Sequence, residues 1–318
     1  MGIFFSEEGV AEMHCLRGVL LVSCISLSGC SLMFSPLAKR SAAFGDAASV
    51  VLRDSSNAYD TVERTSYNAS VSSLVLDFDK SGFDRNKIKP FLPAKDLEAR
   101  QNLLHGLQAY SDDLAEVAGD KSFASLDKQS TALSAALVSL AANGELQKLD
   151  HGASADESKG LATAVDTLAR VLIERKRRAQ LPGIISKMQP VLEQICDLLD
   201  KDIGDKPANG TGGSGLRDQL WNMYDEIIDN QVDYIAANGS RLSPAEKATE
   251  ISKLPNLVAA QQSADAALAH TQLALRDLVK THRALLMPEQ NNTFQDRFNE
   301  LVEDGQEIGA FYSALSSK

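Results

Sequence analysis

The run Asp77-Phe78-Asp79-Lys80-Ser81-Gly82 sets side-chain oxygens at alternate positions and closes on a glycine. Calcium gathers several oxygen ligands, which makes Asp77, Asp79 and Ser81 candidate metal ligands and Gly82 the residue that permits a sharp turn. The same residues also read as the polar end of a helix stopped by Gly82. A second concentration of charge, Arg175-Lys176-Arg177-Arg178, suits the phosphates of anionic lipid or lipopolysaccharide. It equally suits the negative end of a helix dipole ahead of Pro182. Beyond the N-terminal segment the histidines are His105, His151, His270 and His282. None follows a Glu by three residues, the spacing with which helical bundles hold metals. His270 and His282 lie twelve residues apart, about 120° out of phase on a helix. His282 falls between Leu278 and Leu285, a setting for a hydrogen-bonded core histidine. No Gly-x-Ser-x-Gly elbow occurs. Cys196 sits among Ile195, Leu198 and Leu199, where apolar surroundings raise a thiol pKa and do not activate it. The expectation is a protein that is not an enzyme.

The Asp77 run resembles the first half of an EF-hand-type calcium loop, with positions 1, 3 and 5 filled. Position 12 of that loop, ordinarily a bidentate Glu, is Ile88. Gly210-Thr211-Gly212-Gly213-Ser214-Gly215 has the spacing of a dinucleotide fingerprint. That motif must follow a strand in a βαβ unit, and here it follows a helical stretch and Pro207, so a flexible linker accounts for it. The closest resemblance lies near the N-terminus. Arg17, the apolar Val19-Leu20-Leu21-Val22 with Ile25, and then Leu27-Ser28-Gly29-Cys30 follow the order of a bacterial lipoprotein signal peptide ending in a lipobox. The apolar part is too short to span a bilayer. The resemblance implies cleavage before Cys30 and acylation of that cysteine, with palmitate among its chains. Each buried CH₂ of such an anchor contributes about 0.8 kcal/mol. Ser31, where an Asp would retain such a protein at the inner membrane, implies the outer membrane. Glu7, Glu8 and Glu12 are out of place in a signal peptide, and a start at Met13 would leave His14 and Arg17 ahead of the apolar run. The Gly-x-His-x-x-Glu motif of imelysin-like helical lipoproteins does not occur.

The full chain of 318 residues carries net charge −11, and loss of residues 1–29 leaves −9. An acidic surface disfavours nucleic acid, which requires clustered Lys and Arg against phosphates. With Cys15 and Cys24 removed and Cys30 acylated, Cys196 stands alone, so no internal disulfide can form and stability must come from packing.

Apolar spacing supplies that packing. Phe44, Ala48, Val51, Ala58, Val62, Ala69 and Leu76 keep a 3–4 step, with Ser55, Thr65 and Ser72 in the slots between. A helix over 37–78 would be roughly 60 Å long. Comparable seams run through Leu161, Val165, Leu168 and Leu172, and through Leu220, Tyr224, Ile227, Ile228, Val232 and Ile235. Two more follow Leu257, Ala264, Leu268, Leu275, Leu278 and Leu285, and then Phe294, Phe298, Leu301, Gly305, Ile308, Tyr312 and Leu315. Pro90 and Pro93 mark a loop, and Asn143-Gly144 ends a helical stretch that begins near Ser122. Pro182-Gly183 and Pro190 kink or split the region after Arg178, while Asn238-Gly239 and Pro255 mark corners. No alternating β-branched run predicts a strand.

The fold class expected is all-α, an elongated antiparallel helical bundle of long helices with coiled-coil-like seams. Its expected parts are a signal peptide (1–29), a lipidated tether (30–36) and a first sub-bundle (37–203). A flexible Gly-rich linker (204–215) and a second sub-bundle (216–318) packed on the first complete it. The function expected is a membrane-anchored envelope lipoprotein that serves in the periplasm as a non-enzymatic interaction or scaffold module. Its partners would be the membrane, through the lipid, and an envelope protein, with no cofactor. The alternative is a ligand- or metal-binding lipoprotein, with calcium at 77–82.

Overall fold

The first long seam folds as one helix, α1 (Pro36–Ser81). The computed structural model describes residues 36–88, 90–119, 134–139, 155–173, 180–208, 212–287 and 291–316. Phe44, Ala48, Val51, Ala58, Val62 and Ala69 are buried as their spacing predicts, and Leu74 is buried where Leu76 was expected to be. Polar seam positions are satisfied within the helix: Ser55 Oγ donates to the Val51 carbonyl at 2.8 Å and Thr65 Oγ1 to the Thr61 carbonyl at 2.9 Å. Hydroxyls that bond back one turn can be buried at little cost. Small residues also let neighbours approach. A Cβ on Gly45 would lie 2.4 Å from the Ser111 carbonyl oxygen, so the α1 backbone meets that of α2 (Ala94–Gly119) directly.

The remaining helices are α3 (Ala155–Ile173), α4 (Leu181–Ile203), α5 (Gly215–Asn238), α6 (Pro244–Leu285) and α7 (Asn291–Ser316). Residues 134–139 are also helical, with Leu137 fully buried and Ser134 bonded to the Ala169 carbonyl. The protein is an all-α helical bundle, and no strand occurs among the described residues. Side-chain pairs give the helix directions. Gln101 meets Asp60 across α1 and α2, Gln231 meets Glu250 across α5 and α6, and Thr281 meets the Arg297 carbonyl across α6 and α7. Each pair and its neighbours run in opposite chain order, so these helices are antiparallel. Helix α5 lies parallel to α1, where Asn230 reaches Ser72 and Ser73.

The corner expected at Pro255 is corrected, and Pro190 does not split its helix. Pro190 lies within α4 and Pro255 within α6; neither ends a helix. Both are exposed, so the carbonyl that loses its helical donor one turn back faces water, and the penalty of about 3 kcal/mol falls on helices held by other contacts. Asn238-Gly239 is the corner. Beyond it Ser243 caps α6 with a capping box: its hydroxyl accepts from Glu246 N and its N–H donates to Glu246 Oε2.

The described ends of the 204–215 connection meet each other. Gly204 and Gly215 take φ of +67° and +64°, and a Cβ on Gly204 would stand 2.2 Å from the Ser214 carbonyl oxygen. Ser214 N donates to the Asp205 carbonyl at 2.8 Å, and Asp205 N to Ser214 Oγ. Left-handed backbone at both ends, possible at low cost for glycine alone, folds α5 back beside the end of α4. The core then runs unbroken from Ala38 to Tyr312, and residues Ser35–Lys318 cluster as one compact unit.

Candidate functional site

Of the residues singled out from sequence, Cys30 and the whole lipobox lie outside the described residues, as do Arg175–Arg178, His151 and the Ser122–Gly144 stretch apart from 134–139. Asp77, Asp79 and Ser81 fall on the last turns of α1, in helical backbone. Gly82 follows at φ +66°, and its N–H donates to the Phe78 carbonyl at 2.8 Å. That is the αL stop of a helix C-terminus. His105 is exposed on α2. No described helix is long and apolar enough to cross a membrane.

His282 is a hydrogen-bonded core histidine, fully buried at the meeting of α2, α4 and α6. Tyr110 Oη lies 2.7 Å from its Nε2, and Gln189 Oε1 2.6 Å from its Nδ1. Since the Gln189 oxygen can only accept, Nδ1 carries the proton and Nε2 accepts from Tyr110. Gln189 Nε2 donates onward to Glu193 at 2.7 Å, and Arg283 closes the chain on the same carboxylate. Burial pushes the imidazole down to about 4, against a smaller opposing pull from Glu193. The ring is therefore neutral at pH 7 and serves as packing with two satisfied nitrogens.

A second buried network joins α1, α2 and α4. Arg100 holds Asp202 through two parallel bonds of 2.6 and 2.7 Å, and Tyr59 donates to the same carboxylate at 2.9 Å. Arg100 also donates to the Asp96 carbonyl, so the buried charges are paired and hydrogen-bonded.

Between α4 and α6 runs an open groove of about 530 Å³, lined by Glu193, Asp197, Asp200, Arg276, Lys280 and Arg283 among others. Its charges answer one another. Arg276 pairs with Asp200 at 2.9 Å, and Arg283 with Glu193. Lys280 pairs with Asp277 at 2.6 Å. Cys196 borders the groove, and burial raises its thiol well above the ordinary range.

The constellation best suited to hold a ligand lies between α6 and α7. His270 Nδ1 stands 2.8 Å from Glu307 Oε2 and 4.0 Å from Asp304 Oδ1. These three ligand atoms all fall within 4.8 Å of one another. The His270 Nδ1 atom is buried, and its short approach to Glu307 lies off the direction of a hydrogen bond. Burial first, and then the neighbouring Asp277 carboxyl, push the Asp304 carboxyl up to about 6. Sequence spacing missed this group. Asp304 and Glu307 are three apart and share a face of α7, a signal present in the chain, but only antiparallel packing sets His270 opposite them.

Among the described residues, the fold and site define a helical bundle with buried polar networks and a histidine–carboxylate cluster. No family model, curated protein or solved structure matches the chain.

Proposed function

We propose that the protein is a lipid-anchored helical interaction module of a bacterial envelope, held at the outer membrane through acylated Cys30 and facing the periplasm. The observation that carries this reading is the ordered run of Arg17, a short apolar segment and Leu27-Ser28-Gly29-Cys30. The organisation of the bundle is consistent with a scaffold role. The Arg100–Asp202–Tyr59 and Tyr110–His282–Gln189 networks join helices, and the α5–α6 hairpin turns apolar side chains to solvent at Val232, Ile251 and Val258, each 39–46% exposed. Such residues are available to a protein partner.

The test is metabolic labelling with a palmitate analogue followed by membrane fractionation. The parent should be labelled and sediment with outer membranes. The Cys30→Ala variant should lose both properties. Equal labelling of parent and variant would overturn the proposal.

A further inference from the structure

We propose that His270, Asp304 and Glu307 form a binding site for a zinc-class divalent cation that ties α6 to α7. This does not depend on the lipid-anchor reading, and its chemistry is legible in the ligand set. A tetrahedral zinc site with bonds of about 2.0–2.2 Å spaces its ligand atoms about 3.4 Å apart. The separations of 2.8 and 4.0 Å from His270 Nδ1 bracket that value. Small side-chain rotations therefore close the site without moving either helix.

The His270 nitrogen supplies the second argument. It is buried between two carboxylates and forms no aligned hydrogen bond. A cation would meet its lone pair and both carboxylates at once, and two carboxylates with a neutral imidazole match a double positive charge. Calcium and magnesium prefer all-oxygen shells, whereas a nitrogen in the set selects zinc and its transition-metal neighbours. Asp277 fills the outer role. It neighbours Asp304, and its own Oδ1 accepts from Lys280 at 2.6 Å. A carboxylate held beside the site adds negative charge that attracts a cation. Three protein ligands leave one tetrahedral position for water.

The experiment is calorimetric titration of the full-length, chelator-stripped chain with zinc chloride, alongside calcium and magnesium, with thermal melts in parallel. The expected result is one zinc per chain and a raised melting temperature, with no response to magnesium. His270→Ala and Glu307→Gln should each weaken zinc binding by about tenfold or more while leaving the metal-free melt in place. Both side chains are partly exposed, 38% and 50%, so their loss does not open the core. Asp77→Ala should bind zinc as the parent does. Should His270→Ala fail to fold, Glu307→Gln and Asp304→Asn provide the same comparison. Absence of zinc binding in the parent, or unchanged affinity in the ligand variants, would overturn the site. Neither outcome bears on acylation of Cys30, which is read by labelling.

Discussion

At the scale of single residues, the buried pairs separate interactions that hold the fold from groups that merely sit within it. Removing the carboxylate in Asp202→Ala leaves the Arg100 guanidinium buried without its partner. That should cost about 3–5 kcal/mol, measured as a lower urea midpoint. Tyr59→Phe removes a single bond to the same carboxylate and should cost about 2 kcal/mol. A larger loss from Tyr59→Phe than from Asp202→Ala would contradict this order. His282 predicts a pH dependence. Its native pKa, about 4, lies below its ordinary 6.5, so the unfolded chain binds the extra proton first. The stabilisation is complete above pH 6.5 and is lost as pH falls towards 4, an effect on the order of 3 kcal/mol. Glu193 is held below its usual range, chiefly by the Arg283 hydrogen bond and then by Gln189, and so stays ionised over most of that window. Urea midpoints from pH 7 to 4.5 should fall more steeply in the parent than in His282→Gln.

At the scale of elements, helix interiors tolerate local faults where tertiary contacts hold both sides. Pro255 is exposed within α6 and denies the Ile251 carbonyl its helical partner. Pro255→Ala should restore that bond and stabilise the protein by about 1–3 kcal/mol, seen as a higher melting temperature; an unchanged or lower one would mean that another contact depends on the proline. Gly45 behaves in the opposite sense. Any side chain there meets the α2 backbone at the Ser111 carbonyl, so Gly45→Val must separate α1 from α2. A loss of about 1–3 kcal/mol or more is expected, without a matching loss of helical circular dichroism. The helices themselves were legible from apolar spacing, because a period near 3.6 is a local property of the chain. Pro255 does not make a corner because a breaker's effect depends on the contacts holding its helix on either side.

At the scale of the whole molecule, the continuous core predicts that neither half stands alone. Helix α4 offers Asp200 to Gln272 and Arg276 of α6, and α1 packs Val51 against Gly305 of α7. A chain ended at Ile203 would expose those faces. It should lose cooperative thermal unfolding while the parent keeps a sharp transition; an equally sharp melt of residues 31–203 would show an independent first bundle instead.

The sequence by itself determined the all-α class, the long first helix, the core role of His282 and the apolar setting of Cys196, since each follows from residue types at short spacing. The fold alone decided which seams meet. Glycines at both ends of 204–215 read as a flexible linker, yet their positive φ angles build a tight reversal whose backbone contacts lie between residues ten or more apart. The histidine–carboxylate cluster shows the same division. Asp304 and Glu307 share a helix face by local geometry, but His270 lies 34 residues before Asp304. Only the antiparallel return of α7 along α6 puts the three atoms together, because proximity across helices is set by packing and not by spacing along the chain.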